Sequence, residues 1–220
     1  MSDIVDRSDM SPTAIHRIIC LEASPESERL RYEIFLGKNS DLSDSEIGEK
    51  VQNLKVDSPT YWPTSQETSS SYSDLFLTRV ESPLQNISLY SIEYTGEKQY
   101  AFQVTHISGW PDSSIPFDTP HYRQAIAEEI IKLAKTTLSD KHLTYIHCRS
   151  GFGRAGVFRL ALEHAMAQLN EKASKSTGDL VAWYRQTYRY GVQTPEQFHY
   201  LHTLCKEIDR KIYETKSGQS

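Results

Sequence analysis

Apolar and polar positions alternate through the middle of the chain, a pattern that predicts β-strands. β-Branched and aromatic residues concentrate there in short runs bounded by turn-forming residues. The predicted strands cover Leu75 to Val80, Asn86 to Tyr94 and Tyr100 to Ile107, with weaker candidates at Ala14 to Leu21 and Arg31 to Leu36. Thr95-Gly96-Glu97-Lys98 predicts a hairpin turn between two of these strands. The serine-rich stretch from Thr64 to Asp74 predicts a mobile surface loop.

The apolar period becomes helical after this region. Thr119-Pro120 predicts an N-cap followed by proline at the first helical position. The apolar face of that helix comprises Ile126, Ile130, Leu133 and Ala134, and the helix is predicted to end near Leu138. Three more helices are predicted. One begins directly after residue 153, the second lies near Gly178 to Tyr188, and the third runs from Thr194 to Ile212.

A short apolar strand, Leu143 to His147, connects the helix that begins at Pro120 to a glycine-rich loop. Helix, buried strand, glycine-rich loop and helix in succession predict an α/β fold, with a central mixed, twisted sheet flanked by helices on both sides. We predict a core domain over residues 61–213, an N-terminal segment over 1–60 that belongs to the same domain, and a flexible tail over 214–220.

Composition narrows the class of protein. The chain has 220 residues, of which 38% are hydrophobic, and a net charge of −5, so a general nucleic-acid binder is not expected. No apolar run is long enough for a membrane helix, and three cysteines without Cys-x-x-Cys spacing suit reduced thiols in a cytoplasm. His199 and His202 form a close pair without further ligands, so no metal site is expected. No organic cofactor is expected either, because a thiolate, a guanidinium and a carboxylate suffice for the candidate chemistry that follows.

The loop from Cys148 to Arg154 carries the candidate chemistry. Gly151 and Gly153 are expected to adopt left-handed backbone angles that turn amide N–H groups inward to form an anion cradle. A helix N-terminus behind the loop and a nearby cation both favour the thiolate form of cysteine. Arg154 can hold two phosphoryl oxygens with its planar fork. The alternative is that Cys148 is a buried structural thiol and the glycines form a tight turn.

Four segments, in order, resemble motifs of the protein tyrosine phosphatase family. They are Tyr61-Trp62-Pro63, the acid-loop sequence Trp110-Pro111-Asp112, the signature loop HCRSGFGRAG over residues 147–156, and the glutamine loop over residues 193–198. The resemblance covers about residues 61 to 210. It implies a protein tyrosine phosphatase-like fold and a cysteinyl-phosphate intermediate.

The same resemblance implies roles for single residues. Cys148 is the nucleophile, Arg154 binds phosphate, Asp112 is the general acid and then base, and Gln193 positions the hydrolytic water. Gln197 shares that role or is only a helix cap, since Thr194-Pro195-Glu196-Gln197 is also a capping box. The implied substrate-binding residues are Trp110, Arg149, Ser150, Gly151, Phe152, Gly153, Arg154 and Gln193. His147 orients the nucleophile or is a packed histidine.

The chain departs from the family pattern at two places. Ala155 stands where the family has a serine or threonine that stabilises the leaving thiolate, so slow dephosphorylation of the enzyme is expected. The family's phosphotyrosine-recognition loop is missing, with only Tyr32 and Lys38-Asn39-Ser40 as partial matches. Tyr188-Arg189-Tyr190 is expected to pack rather than to stack on nucleic acid, and Trp183 and Tyr184 are expected in the core or an interface.

The predicted function is hydrolysis of phosphotyrosine in proteins by a monomer in the cytoplasm, or in a host cytoplasm if the chain is a bacterial effector. Two alternatives remain open. One is a phosphatase for phosphoserine, phosphothreonine or inositol phosphates. The other is a phosphate-binding module with little turnover.

Overall fold

The computed structural model describes residues 16–21, 69–72, 75–84, 87–94, 100–116, 119–140, 144–173 and 175–218. Its strands are β1 (His16–Leu21), β2 (Ser69–Tyr72), β3 (Leu75–Leu84), β4 (Ile87–Tyr94), β5 (Tyr100–Ile107) and β6 (Thr144–His147). Its helices are α1 (Pro120–Asp140), α2 (Gly153–Leu169), α3 (Thr177–Thr187) and α4 (Pro195–Ser217). Several predicted features lie outside the described residues. They are the strand Arg31 to Leu36, the motif Tyr61-Trp62-Pro63, the turn Thr95 to Lys98, and the partial matches Tyr32 and Lys38-Asn39-Ser40.

The described strands form one mixed sheet in the order β2-β3-β4-β5-β1-β6. β1 is parallel to both β5 and β6, whereas β2 to β5 pair antiparallel in sequence order. Leu21 at the end of β1 is in register with Ile107, and Cys20 with His147. Because the carboxyl ends of parallel strands meet at one edge, the loops that follow β5 and β6 leave the same edge of the sheet, on either side of β1.

Helices α1, α2 and α4 pack together, each with a buried apolar face. In α1 the predicted core residues Ile126, Ile130, Leu133 and Ala134 are all buried, and the Tyr122 N–H donates to Thr119 Oγ1 over 3.2 Å, so the predicted cap is confirmed. No helix in the described part of the chain has the length and apolarity needed to cross a membrane.

Three predicted segments differ from the structure in extent. One is β3, which continues past its predicted end at Val80 to Leu84, across register shifts in its pairing with β4. Ser69–Tyr72 is a strand, not a loop, because Tyr72 pairs with Leu75 and the run continues antiparallel along β3. Pairing with a neighbour overrides the weak β-propensity of three serines. Helix α4 continues past Ile212 to Ser217, into the segment predicted as a tail, since Arg210 pairs with Glu214 on its surface.

Candidate active site

The loop between β6 and α2 places Cys148 at the carboxyl edge of the sheet. Cys148 is 7% exposed, and Gly151 has φ +77°, a left-handed angle that a residue with a side chain rarely adopts. Phe152 at the N-cap of α2 supplies no side-chain hydrogen bond to the first turn. The helix therefore begins at the loop without a side chain of its N-cap competing for the terminal amides.

Gly153 serves a different purpose from the one predicted. It is the first residue of α2 and has no left-handed angle. A Cβ at this position would lie 2.4 Å from Gln193 Oε1 and 2.9 Å from Gln197 Nε2. The position therefore needs a small residue, because two amide side chains approach the backbone there.

Arg154 joins the signature loop to the loop after β5. Its side chain is buried, Nη1 donates to the Trp110 carbonyl over 2.8 Å, and Nη2 lies 3.3 Å from Asp112 Oδ1. The Asp112 side chain is 37% exposed, so the carboxylate faces both the guanidinium and solvent. The two predicted residues of opposite charge, 42 positions apart in sequence, are thus brought together.

Hydrogen bonds within the acid loop and at its start hold it beside Arg154. Trp110 Nε1 donates to the Ser114 carbonyl over 2.9 Å, which closes the turn around Asp112, and Ser113 within that turn has φ 54°. The Tyr122 hydroxyl donates to the Ser108 carbonyl at the start of the loop over 3.2 Å.

The prediction that Trp110 binds substrate needs correction. Its side chain is fully buried, with the ring 5.7 Å from Tyr200 at an interplanar angle of 72°. A large apolar ring in the core anchors the loop, and only the Trp110 backbone carbonyl reaches the site through Arg154.

Gln197 connects the glutamine loop with the acid loop. Its N–H donates to Thr194 Oγ1 over 3.2 Å, which confirms the N-cap. Its side-chain Oε1 accepts from the Gln193 N–H over 2.8 Å, one residue earlier than the cap residue that a capping box would use. Its Nε2 donates to the Ser114 carbonyl over 3.1 Å, so this buried amide is committed to positioning the loops.

Arg185, which the sequence analysis missed, and Tyr184, which it expected to pack, hold the glutamine loop in place. Arg185 Nε donates to the Gly191 carbonyl over 2.9 Å, and Arg185 Nη2 donates to the Val192 carbonyl over 2.5 Å. The Tyr184 ring lies so close to Gly191 that a Cβ there would be 2.3 Å from it, and it also borders Gly156 of α2. The sequence signal for this contact was the presence of glycine at both positions that face the Tyr184 ring, Gly156 and Gly191.

Tyr184 is buried, as predicted for a core or interface residue, and burial raises its pKa to about 12. The phenol therefore stays protonated at neutral pH. Trp183, by contrast, is 42% exposed with Lys175 Nζ 5.0 Å from its ring centre, so it is not part of the core.

The other described cysteine differs chemically from Cys148. Cys205 is buried in α4, and burial together with Asp209 raises its pKa to about 12. Its thiol therefore stays protonated at neutral pH. Within the described ranges, no group of three histidine, cysteine or acidic side chains is arranged to hold a metal ion.

The remaining predicted residues lie at the mouth of the site. Arg149, Ser150, Phe152 and Gln193 are exposed, and Gly151 is half-buried. His147 is half-buried, with its ring 5.7 Å from Tyr145. A thiol, a guanidinium and a carboxylate thus belong to neighbouring loops at one sheet edge, an arrangement suited to binding a tetrahedral anion and transferring it to sulfur.

Solved structures share this arrangement of sheet and helices. The catalytic domain of human protein tyrosine phosphatase non-receptor type 18 superposes with a TM-score of 0.59 at 19% identity, covering 90% of this chain and 61% of that one. The predicted α/β fold of the phosphatase type is therefore confirmed. The described part of the chain has the fold of phosphatase catalytic domains.

Residues 47–207 match the family model for protein-tyrosine phosphatase, and the chain belongs to that family. Human tyrosine-protein phosphatase non-receptor type 9 is 26% identical over 176 residues, which are 73% of this chain and 29% of that protein. The rat phosphatidylinositol phosphatase PTPRQ is 28% identical over 155 residues, 67% of this chain and 6% of the relative. The chain therefore spans under a third of the length of these curated relatives.

Proposed function

We propose that this protein is a phosphoric monoester hydrolase that removes phosphate from phosphotyrosine in proteins. The observation that carries the proposal is the contact of Arg154 with Asp112 and with the Trp110 carbonyl, because it brings the loop of Cys148 and the acid loop to one place. The family also contains a phosphatase, non-receptor type 18, whose structure has been solved with HER2 phosphopeptides.

In the first step, the Cys148 thiolate attacks phosphorus. An S–P bond forms while the P–O bond to the tyrosine breaks, and Asp112 gives its proton to the departing phenolate oxygen. Arg154 and the loop amides hold the three non-bridging oxygens, whose charge is spread in the transition state. The proposed reaction uses neither a metal nor an organic cofactor.

In the second step, water attacks the cysteinyl-phosphate. Asp112, now a carboxylate, accepts a proton from that water, the S–P bond breaks, and inorganic phosphate leaves with the thiolate restored. Gln193 is exposed beside the start of α2, so its amide positions the water. Gln197 acts as a positioning residue, since its amide is committed to the Gln193 N–H and the Ser114 carbonyl.

Substrate comparison tests the proposal. We expect the protein to hydrolyse a phosphotyrosyl peptide with a kcat/KM at least about a hundredfold above that for the matching phosphoseryl peptide or an inositol phosphate. A preference for the inositol phosphate would instead favour the alternative of a lipid or inositol phosphatase. Binding of phosphopeptide without turnover would favour a phosphate-binding module, an alternative that Ala155 motivates.

Ala155 leads to a separate kinetic prediction. It is buried in the first turn of α2, where a hydroxyl could donate to the sulfur as it leaves phosphorus. A hydrogen bond to a charged group is worth about 1.5–3 kcal/mol, or tenfold to a hundredfold in rate. With p-nitrophenyl phosphate in stopped flow, we expect the parent protein to show a burst and then slow turnover, and Ala155→Ser to raise the steady-state rate by about that factor.

The exposed Ala182 of α3 supplies the control, since Ala182→Ser adds the same hydroxyl away from the loop and should leave both phases unchanged. A fast, linear time course for the parent protein, with no burst, would contradict the proposal that phosphoenzyme hydrolysis is slow.

A further inference from the structure

The residue before Gln193 has a strained backbone conformation. Val192 is 1% exposed and has φ 56°, in the left-handed region. A β-branched residue adopts that region only where its surroundings impose it, and such strain concentrates at functional sites. Because the backbone angles of Val192 set the direction of the chain that follows, the contacts that hold Val192 also aim the Gln193 side chain.

The ring of Tyr184 fills the space beside this strained residue. Tyr184 is buried, and a Cβ added to Gly191 would lie 2.3 Å from its Cδ1 and Cε1 atoms. The ring therefore lies directly against the Gly191 backbone. Gly191 itself has no left-handed φ, so the ring, and not the backbone conformation, requires glycine at this position.

The same ring borders the first turn of α2. A Cβ added to Gly156 would lie 3.2 Å from Tyr184 Cε1 and 3.1 Å from the Val192 backbone nitrogen. Gly156 lies two residues after Arg154, so the ring and the strained backbone both pack on the helix that follows the signature loop. Relaxation of Val192 toward an ordinary φ would have to move backbone that is packed against both the ring and α2.

Hydrogen bonds hold the same segment. Arg185 donates to the Gly191 and Val192 carbonyls through Nε and Nη2. The Tyr188 ring stacks on Tyr184 with ring centres 4.8 Å apart, which orients the Tyr184 ring. Because Tyr184 and Arg185 are consecutive residues of α3, a single helical turn fixes the segment by packing and by hydrogen bonding.

The segment leads to the amide that the second step of the reaction uses. A Cβ added to Gly153 would lie 2.4 Å from Gln193 Oε1, so the Gln193 side chain lies against the start of α2. A shift of Val192 would move Gln193 relative to the signature loop. The nucleophile and the general acid belong to other segments of the chain, so the same shift would leave them in place.

We propose that Tyr184 is a positioning residue for hydrolysis of the cysteinyl-phosphate. Its ring, packed between α2 and Gly191, keeps Val192 left-handed and so keeps Gln193 where its amide orients the attacking water. The inference rests on the proposed function. Transfer of phosphate to Cys148 uses no water, so the ring affects the second step and leaves the first unchanged.

Burst kinetics with p-nitrophenyl phosphate separate the two steps. For Tyr184→Ala we expect a burst rate within about twofold of the parent protein and a steady-state rate about tenfold lower, because a small misplacement of an orienting group slows a reaction strongly. Tyr184→Phe keeps the ring and should match the parent protein in both rates. Gln193→Ala should show the same selective loss. Adding Tyr184→Ala to it should lower the rate by less than about twofold more, because both changes act through one amide.

Gly191→Ala tests the contact from the other side and leaves no cavity. Its Cβ collides with the ring, so its steady-state rate should also fall while its burst rate persists. In Tyr184→Ala the same methyl group has room, so adding it there should cause no further loss. Gly178→Ala is the matched control, because a Cβ at that position meets only Ser176 Oγ, at 3.8 Å, and it should change neither rate.

Equal losses in the burst and steady-state rates, or no loss in either, would overturn the inference while the proposed function stands. A full additive loss on top of Gln193→Ala would overturn it as well. If Tyr184→Ala does not fold, Gly191→Ala decides by the same criteria. If the parent protein shows no burst, Tyr184→Ala should create one, and a linear time course in both would count against the inference. A parent protein that hydrolyses no aryl phosphate would defeat the proposed function, and this inference with it.

Discussion

Cys148→Ser is expected to lower turnover of a phosphotyrosyl peptide by at least about ten thousandfold. A serine hydroxyl stays protonated at neutral pH, so the loop and Arg154 gain no anionic nucleophile to align with phosphorus. Arg154 and the Gly151 turn are untouched by the change, and phosphopeptide binding should therefore persist. Steady-state hydrolysis and binding of the same peptide by calorimetry measure the two effects separately.

Cys205→Ala is the matched cysteine control. The Cys205 thiol is buried in α4, and its pKa of about 12 leaves it protonated and unable to attack. This variant should keep the activity of the parent protein per folded molecule. Retention of activity by Cys148→Ser, or its loss in Cys205→Ala without unfolding, would show that the nucleophile has been assigned to the wrong residue.

Asp112→Asn is expected to lower kcat for a phosphotyrosyl peptide by about a hundredfold to ten thousandfold. The amide has nearly the size of the carboxylate and can remain beside Arg154, but its N–H protons are too weakly acidic to be transferred to the phenolate. The loss should be smaller for p-nitrophenyl phosphate, because its more acidic phenol departs with less need of protonation. Steady-state rates with the two substrates provide the comparison.

Asp179→Asn removes a carboxylate of the same kind from the exposed start of α3 and should change neither rate. Equal losses with both leaving groups in Asp112→Asn would argue that Asp112 supports the loop rather than donating a proton. Asp112→Asn should bind a phosphopeptide without hydrolysing it, so this variant can also be used to capture substrates.

The sequence was sufficient to predict the elements whose signals are local. β5 has the predicted limits, Tyr100 to Ile107, and α1 begins at the predicted proline after its Thr119 cap. The loop at Cys148 lies between a strand and a helix, as predicted, because the sequence signals for that placement fall within about ten residues.

Contacts between distant segments were not predictable in the same way. Arg154 reaches Trp110 across 44 positions, and Gln197 reaches Ser114 across 83. Periodicity identifies which face of an element is apolar, but it does not identify the partner on another loop. Gly153 was therefore assigned a backbone role, when the side chains of Gln193, just before α4, and Gln197, on α4, explain it.

Exposure was the other property that the sequence could not supply. Trp110 was predicted to bind substrate, yet its side chain is fully buried. Tyr190 was predicted to pack, yet its side chain is 62% exposed. An aromatic residue in a loop suits either the buried core or the exposed surface, because its ring can pack at both. The contacts that decide between them, Tyr200 for the first and Phe152 for the second, come from other elements.

The most direct test of the account is to observe the covalent intermediate. The parent protein is mixed with a phosphotyrosyl peptide, stopped within milliseconds by a denaturing quench, digested and mapped by mass spectrometry. We expect a phosphoryl group on the sulfur of Cys148, formed within the burst and retained longer than in Ala155→Ser. Hydrolysis that proceeds with no phosphoryl group on the protein, or with one on another residue, would contradict the account.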